Sequence, residues 1–506
     1  MMPASYFEIL RALSPEAMLT VTALAALTLD LASLRYADAP VRTRTIGATA
    51  VVGLLASIIP LWQQFNAPRT VLLGGTLAVD DLVLFFKLVI VALTLVTVLI
   101  SMDFDVGRHV GEYFAVMLFG AVGMMLLISA EELLTIFVAL ELTSISLYIL
   151  TAFHKGELRS QEAAVKYFMF GAISSAFLLF GLSYVYGVTG TTSLTGIAAA
   201  VKANGGMEMS PLLATGLLFT IIGFGFKVAV VPFHLWAPDA YEGAPTPVTA
   251  FIATGSKVAS FFVLLKVLFI GFAGMEGSAF WGHFTSGWTM LLAVTAALSM
   301  VLGNCAAIVQ HNVKRMLAYS SIAHAGYIFI GLIAATKMGA TSVLFYIIVY
   351  ALTNLGAFGV VAALSGRAGG DDMQNFNGMA KRAPFLSLLM LIFVLSLAGV
   401  PPLGGFFGKF YLFASAVQRD SQSFGLLWLV VLGILMSAVS LYYYLILLKH
   451  MYVLDGSSQS PIITPTYLSV ALGLVALAVI LLGVYPKPIL ELLNGFGYSS
   501  IAGLMR

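Results

Sequence analysis

Six lysines stand inside stretches that are otherwise apolar: Lys87, Lys166, Lys227, Lys257, Lys266 and Lys409. A lysine at the centre of a hydrocarbon layer costs about 2.5–3.5 kcal/mol on insertion scales, so it must reach the interface, find a partner or do chemistry. Lys257 lies eleven positions into the apolar run 246–271, about 16 Å from its start if helical, too deep for cheap snorkelling. Glu141, ten positions into 131–153, is equally central and calls for a cationic partner. Desolvation favours a neutral amine and a nearby carboxylate favours the ammonium. A Glu141–Lys227 pair that closes and opens would therefore hold and release a proton. In RMLAYSSIAHAGYIFIGL, the residues Ser320, Ser321, His324 and Tyr327 share one helical face. A histidine passes protons through its two ring nitrogens, which makes His324 a candidate bridge between Lys257 and Lys409. The plainer reading is an interhelical hydrogen bond.

Lys227 and Lys409 each lie beside a helix breaker. GFGFKVAVVPFHLWAPD has Pro232 five residues after Lys227, and LAGVPPLGGFFGKF has Pro401, Pro402, Gly404, Gly405 and Gly408 ahead of Lys409. Broken helices at mid-membrane are tolerated where they line protein or water, an arrangement typical of transporters. His234, just past the first break, either joins the relay or caps freed backbone. Lys166, five positions into its helix, either snorkels to the inner face or takes part. Lys266 falls on the opposite side of its helix from Lys257 and near the outer end, so it reads as an interfacial anchor. Lys87 and Asp30 have no evident partner.

The elements that must position these groups are membrane helices. The 506 residues are 60% hydrophobic and 9% charged with mean hydropathy +1.00, whereas soluble chains are about a quarter charged. Spans of about 20 apolar residues fall at 15–34, 43–62, 79–101, 112–129, 131–153, 162–186, 211–236, 246–271, 287–309, 315–335, 339–364, 384–416, 424–449 and 465–484. Fourteen crossings put both termini on one side. With the termini outside, the inner loops hold twelve Lys or Arg residues and the outer side seven, as the positive-inside rule requires. The expectation is therefore a multi-pass protein with both termini periplasmic. Residues 1–14 lack a basic start and a cleavage motif, so no removable signal peptide is expected.

Other chemistries lack their signatures. The net charge of +2 comes without a basic run, which argues against nucleic-acid binding. Cys305 is the one cysteine, so neither a cysteine-ligated cluster nor an internal disulfide can form; it reads as a small packing residue. GxGxxG, GxxxxGK[ST] and HExxH are all absent from the sequence, and no metal site is expected.

The stretch VPFHLWAPDAYEGAPTPVTAFIATGSK (231–257) resembles the N type of antiporter-like membrane subunit in bacterial respiratory complex I, the proton-translocating NADH:quinone oxidoreductase. The likeness extends to FVALELTSISLYILTAF, EAAVKYFMFGAISSAFLLFGLSYVYG, GNCAAIVQHNVKRMLAYSSIAHAGY and SLAGVPPLGGFFGKFYLF, within about 112–450. YEGAPTPV and ATGSK favour the N type over its sisters. The M type has glutamate where this chain has Lys409, and the L type adds a long lateral helix for which residues 485–506 are too few. Related multisubunit cation/proton antiporters share VPFH and the lysines, and sodium/proton exchange is the alternative activity.

The resemblance implies an all-α membrane domain with two inverted five-helix repeats, 112–271 and 287–450, flanked by 1–111 and 465–484, and with helices seven and twelve broken. It also implies proton-relay roles for Glu141, Lys227, Lys257 and Lys409, and matches Lys166 to a further lysine of the sixth helix. No cofactor is implied in this subunit. NADH, FMN, iron–sulfur clusters and quinone would belong to partner subunits, and neighbouring antiporter-like and small membrane subunits would be its contacts.

Overall fold

A computed structural model of the chain describes residues 6–203, 210–456 and 460–500, with side chains to 495. The apolar runs form helices: α1 (Ser14–Ala32), α2 (Ala39–Gln64), α3 (Asp81–Ser101), α4 (Val110–Ser129), α5 (Leu133–Thr151) and α6 (Leu158–Thr189). They continue as α7 (Pro211–Val228), α8 (Trp236–Gly243), α9 (Thr246–Gly271), α10 (Trp288–Ile308), α11 (Val313–Ile333) and α12 (Lys337–Ala368). The series closes with α13 (Pro384–Ala398), α14 (Gly404–Arg419), α15 (Leu427–Tyr452) and α16 (Thr466–Val484). Thirteen of the described helices are long and apolar enough to cross a membrane. The fourteenth crossing expected from the sequence is the pair α13 and α14, two half-helices that are each too short alone.

Local chemistry sets the helix starts. The Glu132 carboxylate accepts the Thr135 N–H at 2.8 Å ahead of α5, Asn312 accepts from Arg315 ahead of α11, and Thr336 accepts from Gly339 ahead of α12. Each satisfies a donor that the first helical turn leaves orphaned. Two features not read from the sequence are small antiparallel hairpins in loops, Thr70–Leu72 with Leu77–Val79 and Ser278–Phe280 with His283–Thr285.

Every residue of α9 is buried, and α11 and α12 are buried almost throughout. These three form the centre of the bundle. The periphery shows the reverse of a soluble surface. Val52, Ile59 and Trp62 on α2, Phe168, Ile173 and Phe180 on α6, and Ile434 and Leu435 on α15 are exposed, as lipid contact allows. Cys305 also faces outward on α10, so it is not the interior packing residue that the sequence suggested.

Both predicted breaks are present. The first helix stops at Val228, short of the expected end at 236, because Ala229 turns left-handed with φ of 58°. The chain resumes as α8. Phe226 O, freed by the break, accepts the Trp236 indole at 3.0 Å, and Val231 N–H donates to Ser299 Oγ on α10 at 2.9 Å. The second helix stops at Ala398, where Gly399 has φ of 88°, and Gly405 N–H finds Ser396 Oγ at 3.1 Å. In each case the displaced backbone polar groups are paired within protein, as the bilayer core demands.

Candidate functional site

Lys227 sits on the last turn of α7, directly before the break, and is buried. Its ammonium donates to Ser144 Oγ at 2.6 Å, while the Glu141 carboxylate is 3.9 Å away. Glu141 accepts the Ser175 hydroxyl at 2.5 Å. The expected pair is thus at the edge of ion-pair contact, with a hydroxyl on each partner. A pair at that separation changes strongly with a displacement of about 1 Å, since the Coulomb energy varies inversely with distance in a low-dielectric interior. The Glu141 side chain is 27% exposed on the flank of the bundle, an unusual place for a carboxylate at mid-membrane depth.

Lys257 opens the second α-helical stretch of α9, directly after a π-helical turn at Ile252–Ser256. Such turns often accompany functional sites, because the extra residue re-aims the side chains that follow. The Lys257 ammonium donates to the Ser321 carbonyl at 3.1 Å and to the Ser321 hydroxyl, with the Tyr350 ring 5.7 Å away. His324, one turn along α11 from Ser321, pairs through Nδ1 with the Tyr346 hydroxyl at 2.6 Å and through Nε2 with the Tyr444 hydroxyl at 3.3 Å.

Lys409 caps the half-helix broken ahead of it. Its ammonium donates to Leu397 O at 2.8 Å and Ala398 O at 3.1 Å, the last carbonyls of α13, and to Ser437 Oγ at 2.8 Å. A helix C-terminus carries a partial negative charge, so this position favours the ammonium without a carboxylate. The Tyr327 ring lies 4.8 Å beneath it. Tyr327 accepts from Asn304, which accepts from Tyr443 at 3.0 Å, and the Tyr327 ring is also 5.6 Å from the imidazole of His324, so this one ring adjoins both His324 and Lys409. Among the described residues, neither Lys257 nor Lys409 forms an ion pair.

The remaining candidates occupy the margins. Lys166, 40% exposed, pairs with Asp239 at 2.8 Å and Glu162 at 2.7 Å. Arg315 joins them, 2.6 Å from Asp239 and 3.0 Å from Glu242, around a cleft of about 220 Å³. His234 lies on the break itself, half-buried two residues after Pro232. Its Nδ1 has no partner among the described residues.

The family model described as NADH:quinone oxidoreductase/Mrp antiporter, transmembrane, matches residues 130–440. NADH-quinone oxidoreductase subunit N 2 of Acidobacterium capsulatum is 45% identical over 504 residues, covering 98% of this chain and 100% of that one. The chain belongs to the NADH:quinone oxidoreductase/Mrp antiporter family, in its subunit N branch. In structure it is similar to a chain of respiratory complex I from Thermus thermophilus, with TM-score 0.75 and 33% identity over 94% of this chain and 98% of that one. A chain of the Mrp complex from Dietzia has TM-score 0.81 at 18% identity, covering 98% of each chain, a likeness of fold.

For this subunit N relative, the structure adds hydroxyl partners that sequence reading missed: Ser144, Ser175, Tyr346, Tyr350, Tyr444 and Ser437. It also supplies two missing partners. Lys87, wholly buried, lies 2.7 Å from Glu16, and Asp30 accepts from Nε and Nη2 of Arg42 at 2.8 and 2.7 Å and from Gly111 N–H. Lys266 is corrected. It lies buried against the bundle and donates to Ala130 O at 2.8 Å, with Glu131 3.7 Å away. Its ammonium is taken up by the carbonyl end of α4 and does not project from the bundle.

Proposed function

We propose that this chain is the N-type proton-conducting subunit of a respiratory NADH:quinone oxidoreductase, moving protons through its membrane interior while partner subunits carry out the redox chemistry. The observation that carries the reading is that Lys227, Lys257 and Lys409 are buried in the bundle and bound to hydroxyls and carbonyls in place of a close carboxylate. An ammonium held by neutral groups can lose its proton without stranding a paired anion, which a tight buried ion pair cannot do. Glu141 and Lys227 form the switchable pair, Lys257 and His324 the central link, and Lys409 the terminal group. Lys166 sits where the relay meets the inner face, and His234 beside the break borders the same path.

NADH, FMN, iron–sulfur clusters and quinone are assigned to partner subunits, and this chain is a non-redox translocase subunit. The partly exposed Glu141 on the bundle flank fits coverage by a neighbouring membrane subunit. The positive-inside count places both termini in the periplasm of a bacterial inner membrane. The two breaks support inverted repeats, because α7 and the α13–α14 pair cross in opposite directions and each stops on a left-handed residue. Replacing Lys227 by Ala in the assembled complex should cut proton pumping, and unchanged pumping in a normally assembled complex would overturn the assignment. Sodium/proton exchange, the alternative activity, rests on the VPFH motif and lysines shared with cation/proton antiporters, and the likeness to the Mrp chain is one of fold.

A further inference from the structure

Ser321 stands where three buried side chains meet. Its hydroxyl receives Lys257, accepts the Tyr350 hydroxyl at 2.8 Å and faces the Tyr241 hydroxyl at 3.5 Å. Two of these partners lead in different directions. Tyr350 comes from α12, with its ring 5.5 Å from the imidazole of His324, and so points along the central axis. Tyr241 comes from α8, the short helix between the break at Ala229 and the turn at Ala244.

The same helix carries Asp239 and Glu242, which line the inner cleft with Lys166 and Arg315. Arg315, six residues before Ser321 on α11, binds both acids. One short element therefore has its charged end in a solvent-facing cleft and its hydroxyl at the hub. The Tyr241 contact is long for a hydroxyl pair, for which about 2.7–2.8 Å is usual, whereas the Tyr350 contact is closed.

We infer that Ser321 is a proton carrier and the branch point of the relay at Lys257, with Tyr241 as its inner-side arm and Tyr350 as its arm toward His324. The inference rests on the proton-conducting reading above. In the inward step, the fully buried Tyr241 donates its proton to Ser321 Oγ as the Ser321 proton moves to the neutral Lys257 amine, and a water entering from the cleft beside Asp239 and Glu242 on the same helix reprotonates it. In the outward step the Tyr350 hydroxyl, here the donor to Ser321, turns toward His324; the ammonium returns a proton to Ser321, Ser321 passes its own to Tyr350, and the Tyr350 proton is taken up by the neutral His324 imidazole. Each hydroxyl loses one proton and gains one, so none stays charged.

The test uses the assembled complex in proteoliposomes. Ser321→Ala should lower the proton-to-electron ratio, and Ser321→Thr, which restores a hydroxyl, should recover it. Tyr241→Phe and Tyr350→Phe keep the ring contacts with Phe358 and His324 and remove only the hydroxyl, so a packing role predicts no change. Each should slow proton transfer through this subunit by about 100-fold, as loss of a positioned proton carrier does, with NADH oxidation continuing in the presence of an uncoupler. A wild-type ratio in Ser321→Ala and both Phe variants, with Lys257→Met still impaired, overturns the branch point. A wild-type ratio in Lys257→Met as well overturns the relay itself.

Discussion

A lysine that releases a proton inside a bilayer must hand it to a neighbouring group, and here that group is a hydroxyl. Ser144, Ser321 and Ser437 each touch one of the three relay lysines. Lys87 behaves differently, because it faces Glu16 at 2.7 Å and, among the described residues, neither its ammonium nor the carboxylate has another hydrogen-bond partner. That pair is a structural tie between α1 and α3. Lys87→Met should destabilise the subunit by about 3 kcal/mol by stranding a buried carboxylate, read as a lower thermal-unfolding midpoint of the purified complex. Adding Glu16→Leu should recover most of the loss while pumping stays normal. If the double variant is no better than the single, the tie is not what holds Lys87. The lysines were legible in the sequence because charge is rare in apolar runs. Their hydroxyl partners were not, since Ser144 and Ser321 lie 83 and 64 residues from Lys227 and Lys257. A membrane-helix serine also ordinarily bonds to its own backbone, as Ser144 does with Leu140.

At the scale of elements, the two breaks create the site. Without the stop at Gly399 no carbonyls of α13 would be free to hold Lys409. Gly399→Ala should cost about 1–2 kcal/mol, since φ of 88° is unfavourable for a residue with a Cβ, and the new methyl would lie 3.2 Å from the Lys409 side chain. Both thermal stability and pumping should fall, and a variant normal in both would mean that the break does not position Lys409. Gly405→Ala should be harsher. Its Cβ would collide with the Ser396 carbonyl oxygen, so assembled complex should be lost from the membrane fraction. The breaks were readable from Pro232, Pro401 and Pro402 because they act through local backbone chemistry. The π-helical turn before Lys257 has no such signature, and Lys266 was misjudged because a helical wheel says nothing about which neighbouring helix end covers the outer turn.

At the scale of the molecule, the chain combines a lipid-facing rim with a centre of three buried helices that carry Lys257, His324, Tyr346 and Tyr350. Composition alone disclosed the rim, while the centre emerges only when α9, α11 and α12 pack together. If the axis serves redox-driven pumping, vesicles holding the purified complex should show no sodium-dependent proton movement without NADH and quinone. Sodium-driven exchange in their absence would favour the antiporter reading. The most direct measurement is the proton-to-electron ratio of the reconstituted complex in which Lys227, Lys257 and Lys409 are all replaced by Met. A relay through these lysines predicts normal assembly and electron transfer with a reduced ratio, whereas a wild-type ratio would make the subunit a scaffold and contradict the relay.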